Sequence, residues 1–131
     1  MAGKARDYRS PLGRARGLGS AKEGVQHWWA QRLTALALVP LAVWFVVSVI
    51  VLQGATQAEL AAWLSSPFQA GLMILFIVAT FWHAALGLQV VIEDYVHREG
   101  GKLLLIVLVK GLCALLAIAG VLAVVKLMLQ G

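Results

Sequence analysis

The chain has 131 residues, 61% of them hydrophobic and only 13% charged, which is too apolar for a soluble domain of this length. A formal charge of +5 could suggest nucleic acid, but Lys4, Arg6, Arg9, Arg14, Arg16, Lys22 and Arg32, seven of the eleven Lys and Arg residues, precede the first apolar run. That asymmetry fits membrane topology better than a nucleic-acid surface, and none is expected as a partner. Cys113 is the single cysteine, so disulfide and cysteine-metal frameworks are excluded.

Residues 1–29 form a basic tail and interfacial segment. The stretch SPLGRARGLGSAKEG is rich in Gly, Arg and Ser and cannot bury a core of its own. It suits either a solvated tail beside anionic lipid or a strap along a soluble partner. His27, Trp28 and Trp29 mark the headgroup level, and Arg32 stands at the expected start of the first helix.

Residues 30–131 contain three runs, about 33–52, 68–92 and 103–129, each as long as the ~20 residues of helix that cross a hydrocarbon core. The first begins too late and runs too long for a signal peptide. Pro40 lies inside it, where a membrane helix tolerates proline. Ser65 or Ser66 can cap the second run and Pro67 suits its first turn; Gly100 and Gly101 are expected to separate it from the third. Gly111, Ala114, Ala117, Gly120 and Ala123 place a winding strip of small side chains on the third, and Lys110 and Lys126 can snorkel toward its two ends. The first connection carries only Glu59, whereas the second carries Arg98 and Lys102. The positive-inside rule therefore predicts an all-α membrane protein with a cytoplasmic N-terminus and a periplasmic C-terminus.

No phosphate loop, Ser-His-Asp arrangement, CxxC or HExxH is present, so no self-contained hydrolase or metalloenzyme is indicated. His83 remains. It precedes Glu93 by ten residues, which puts it roughly 15 Å below the membrane boundary. An imidazole at that depth needs a partner: either a neighbouring helix bonds it structurally, or it serves a ligand. Gly87 and Asp94, four and eleven residues on, return to nearly the same azimuth. A flat macrocycle stacked on that face would use the glycine gap, and neutral imidazole is a common haem ligand; plain helix packing would use the gap equally well. Glu93 and Asp94 oppose the helix dipole and need a reason. Exposure to water is sufficient for Glu93, whereas Asp94 can pair with a base on a neighbouring subunit. Tyr95 is an interfacial aromatic or a hydroxyl donor to a ligand carbonyl, and His97 reads as a solvated loop residue.

The segment HAALGLQVVIEDYVH resembles the second membrane helix of the succinate dehydrogenase hydrophobic membrane-anchor family, part of respiratory complex II. His83, Asp94 and Tyr95 keep the spacing of that family's haem-ligating His and Asp-Tyr pair, and Arg32, Thr34 and Ala35 match its Arg-x-Thr-Ala pattern. The tail resembles the alphaproteobacterial form. The resemblance covers nearly the whole chain. It implies a complex with a second three-helix subunit, the cytochrome b subunit, and with iron-sulfur and flavoprotein subunits that hold the clusters and FAD. It also implies one haem b shared between the membrane subunits, with His83 as the axial ligand to the haem iron from this chain, Arg32 facing a haem propionate, Tyr95 donating to ubiquinone and Asp94 supporting that site. The lone chain would carry no catalytic residue; the reaction would be electron transfer from succinate to quinone in a bacterial inner membrane. A fumarate reductase anchor and a haem-free scaffold or assembly protein are the alternatives.

Overall fold

The computed structural model describes the backbone of residues 19–131 and the side chains of residues 24–131. The basic stretch 1–18, with its two readings, lies outside the described residues. Four helices follow one another: α1 Gly19–Val51, α2 Gln57–Leu64, α3 Pro67–Tyr95 and α4 Glu99–Gln130. Of these, α1, α3 and α4 are long and apolar enough to cross a membrane.

All three outlast the apolar runs from which they were predicted. A run of ~20 residues fills the hydrocarbon core, but nothing at its edge forces a helix to stop. Arg32 is accordingly well inside α1 instead of at its start, and His27, Trp28 and Trp29 are helical. Trp28 and Trp29 meet edge to face at 5.1 Å, and the Arg32 guanidinium lies 5.4 Å from the Trp28 ring centroid. Pro40 sits within α1 without ending it. The expected Gly100–Gly101 break is also displaced: both glycines belong to the first turn of α4, and the chain turns at residues 96–98. Ser66 occupies the N-cap of α3 with Pro67 after it, but its side chain makes no cap bond, and the Ser65 hydroxyl donates to the Ala62 carbonyl at 2.6 Å.

Helix α2 was not foreseen. Gly54, at φ +83°, turns the chain after α1 in the left-handed region where glycine is favoured. Thr56 and Glu59 then close a capping box, with the Thr56 amide donating to Glu59 Oε2 at 2.7 Å and the Glu59 amide donating to Thr56 Oγ1 at 3.3 Å. These bonds, the one from the Thr56 backbone first, hold the Glu59 carboxyl below its ordinary 4.5. A group whose folded value is depressed contributes stability above its unfolded value and loses it as pH falls through the folded one. Acidification below pH 4.5 is thus expected to lower the protection of the Thr56 and Glu59 amides against exchange, measured relative to their intrinsic rates at each pH, with Glu59→Gln showing no such pH step.

Helix α2 inserts Leu64 into a cluster with Ala70 of α3 and Val124 of α4, flanked by Trp63, Ile77 and Leu127. Trp44 of α1 stacks on Trp63 and donates Nε1 to Gln69 Oε1 at 3.2 Å, and Phe45 stacks on Phe76 at 4.7 Å. The end of the bundle bearing α2 is therefore fastened within the chain.

Helix α3 is the central helix, packed against α1 on one side and α4 on the other. The α1 seam buries Thr34, Leu41 and Ser48, spaced seven apart as a 3.5-residue packing repeat requires. On α4 the inward residues are Cys113 and Val124, with Ala117 and Gly120 half-buried between them. The predicted small strip is thus split, because a three-residue interval winds away from a helix face: Ala117 and Gly120 pack inside, whereas Gly111, Ala114 and Ala123 are exposed. A Cβ on Gly120 would stand 3.1 Å from Ile77 Cγ2. Gly120→Leu is expected to overpack this crossing and cost about 1–3 kcal/mol, readable as a lower melting temperature in detergent, while Gly111→Leu, with nothing within 4 Å, leaves it unchanged.

Most large apolar side chains face outward, Leu36 at 72% and Leu129 at 76% exposure among them. A surface of this kind needs lipid or a partner to cover it.

Candidate functional site

Towards the other end of the bundle the α1–α3 seam turns polar. Thr34 is buried there, only 6% exposed, and its Oγ1 lies 2.9 Å from His83 Nδ1 across the seam. The same hydroxyl reaches back along α1 to the carbonyls of Ala30 at 2.7 Å and Gln31 at 3.1 Å. The sequence left two readings of His83, and the structure supplies the neighbouring-helix bond of the first. That bond engages only Nδ1, so the ligand reading survives it: Thr34 is the ring's one hydrogen-bond partner among the described residues.

One turn along α3 from His83, Gly87 opens a groove. Its other walls are Gly24, His27, Trp28, Gln31 and Arg32 of α1, with Val90 of α3, and it encloses about 590 Å³. A Cβ on Gly87 would meet only Gln31 Nε2, at 3.8 Å. His27 Nε2 and Gln31 Oε1 are buried at this wall without a hydrogen-bond partner. Two unsatisfied buried polar atoms are costly left alone: Gln31 Oε1 accepts and calls for a donor, His27 Nε2 can take either role, and the exposed Arg32 guanidinium beside them is the groove's group for an anion.

The predicted site residues thus fall into two groups. His83 and Arg32 belong to the seam and its groove, together with Gly87. Asp94 and Tyr95 stand at the end of α3, both exposed, Tyr95 at 78%, and neither lines the groove. Glu93 accepts a hydrogen bond from Gln89 Nε2 at 2.9 Å, a partner beyond the water expected for it. His97 is exposed on the 96–98 turn. Thr34, Gln31 and His27 were not singled out as a set, although their spacing of four and three residues on one face of α1 carried the signal.

Residues 6–120 match the family described as succinate dehydrogenase/fumarate reductase transmembrane subunit. The chain belongs to this family. Among its relatives, the succinate dehydrogenase hydrophobic membrane anchor subunit of Rickettsia conorii is 31% identical over 118 residues, covering 89% of this chain and 94% of that one. That of Rickettsia bellii is 33% identical over 119 residues, 90% and 94% of the two chains. That of Paracoccus denitrificans is 39% identical over 88 residues, 67% and 68% of the two. The succinate dehydrogenase/fumarate reductase transmembrane subunit match includes Thr34, the groove, His83, Asp94 and Tyr95.

Proposed function

We propose that this chain is the hydrophobic membrane-anchor subunit of a succinate:quinone oxidoreductase, seated in a bacterial inner membrane with its N-terminus cytoplasmic and its C-terminus periplasmic. Family membership and relatives named as succinate dehydrogenase anchors support the anchor role. The charge bias of residues 4–32, with Arg98 and Lys102, supports the orientation. The outward apolar faces of α1 and α4 are available to lipid and to a second three-helix subunit, the cytochrome b subunit. The iron-sulfur and flavoprotein subunits, with their clusters and FAD, would dock at the cytoplasmic face.

The observation that carries the cofactor reading is the His83 ring bonded at Nδ1 alone, beside a groove with unsatisfied polar walls. These residues fit a haem b shared with the partner. His83 would ligate its iron and Arg32 would face a propionate, with the open surface over Gly87 leaving the ring room. Haem b, when bound, supplies a one-electron store beside the quinone site. The burial of Thr34 and the apolar flanks of α3 keep water from that layer. Tyr95, exposed where α3 ends, would donate its hydroxyl to a ubiquinone carbonyl, and Asp94, exposed beside it, would support that site. Most of that pocket would come from the partner chains.

Affinity purification through a tag on this chain, from gently solubilised native membrane, tests the anchor role. Flavoprotein, iron-sulfur and second membrane subunits in equal amounts are expected. A chain recovered alone, or with unrelated proteins, would return the scaffold reading.

A further inference from the structure

The three contacts of Thr34 Oγ1 decide where its proton is. A hydroxyl has one hydrogen and two lone pairs. The separation from Oγ1 to the Ala30 carbonyl is 2.7 Å, a distance at which two oxygens without a hydrogen between them repel. The carbonyl brings no proton, so the hydroxyl proton must lie on that line, with the Gln31 carbonyl at 3.1 Å as its second acceptor. Nothing is then left to donate toward His83. The 2.9 Å contact to Nδ1 holds only if the ring nitrogen donates and Oγ1 accepts. A neutral imidazole carrying its proton on Nδ1 has its free lone pair on Nε2, on the opposite side of the ring from α1.

We propose that Thr34 is a positioning residue that locks His83 in the Nδ1–H tautomer and so presents Nε2 as the iron ligand. This rests on the haem reading above and names what makes it work. The bond also turns the ring about its side-chain torsions to a single setting. By accepting the Nδ1 proton it makes the imidazole a stronger donor, which favours ferric over ferrous iron. Burial of the acceptor makes the device dependable, because a Thr34 side chain only 6% exposed leaves little room for water to compete for the bond. Thr34 touches neither iron nor quinone in this role.

The test uses the complete complex purified with wild-type, Thr34→Ser, Thr34→Val and His83→Ala anchor chains, with haem content per flavin and haem midpoint potential as readouts. Thr34→Val keeps the shape of the side chain but cannot accept. It is expected to weaken haem retention about tenfold or more, as loss of such a supporting bond does at metal sites, and to raise the midpoint potential. Thr34→Ser, which keeps the hydroxyl, is expected to restore both. Where Thr34→Val fails to assemble, Thr34→Ala gives the same readout with less crowding and is expected to shift the potential in the same direction. Potentials and haem contents of the Val or Ala variant equal to those of wild type and Thr34→Ser would overturn the proposal while leaving His83 as ligand. A His83→Ala complex with an unaltered haem spectrum would instead overturn the reading on which it rests.

Discussion

Replacing His83 with alanine is expected to abolish the low-spin spectrum of the haem and to lower the haem-to-flavin ratio by at least roughly tenfold. An axial nitrogen ligand contributes more than its supporting hydrogen bond, whose loss alone costs about 10–100-fold at metal sites. His83 is the one histidine of this chain in the buried seam; His27 lies at the groove nearer the α1 N-terminus and His97 on the exposed turn, so neither can substitute without rebuilding α1 or α3. The substitution leaves the Thr34 hydroxyl proton donated to the Ala30 and Gln31 carbonyls but removes the ring bonded to Oγ1 and opens a gap in the α1–α3 seam. Some loss of assembly is therefore expected, and the spectrum is to be taken on the complex that does assemble. There, retention of an unchanged bis-histidine signal would contradict the assignment.

Replacing Tyr95 with phenylalanine is expected to slow succinate-to-quinone turnover about ten- to hundredfold, the kinetic equivalent of losing one hydrogen bond worth about 1–3 kcal/mol at the reacting carbonyl. Succinate oxidation by a soluble dye should change little, because in the proposed complex that electron path would leave before the membrane. Tyr95 is 78% exposed in the lone chain and makes no hydrogen bond among the described residues that the substitution would break. The ring is kept, so packing against any partner is kept as well. Equal loss of both activities would place Tyr95 at an assembly interface instead.

The three long apolar helices were legible because apolar length depends on little beyond the chain itself. The helix ends were less so. Hydropathy reports where an apolar run stops, whereas α1 extends on the N-terminal side of Arg32 as far as Gly19. Helix α2 was overlooked although Thr56-Gln57-Ala58-Glu59 spells its capping box, since the charge pattern reduces that connection to Glu59 alone. The small strip on α4 was only half informative: side-chain size says which faces can approach, and the 3.6-residue turn then selects Ala117 and Gly120. At the site, the azimuths of His83 and Gly87 follow from one helix, but the Thr34 bond joins residues 49 apart and depends on how α1 and α3 are set against each other. No periodicity within either helix contains that number.

Metal-ligand spacing alone could not point to the proposed centre, because a shared haem would divide its ligands between chains. No group of three or more His, Cys, Asp or Glu side chains gathers among the described residues. One ligand here and one on a partner would be an arrangement that only the assembled complex completes.

The most direct test of the account is a reduced-minus-oxidised optical spectrum of the wild-type complex, isolated through this chain, with haem and flavin quantified in the same sample. One b-type haem per flavin with a low-spin bis-histidine signature is the predicted result. A complex containing flavoprotein and iron-sulfur subunits but no haem would contradict it and leave the His83–Thr34 bond as a helix-packing contact.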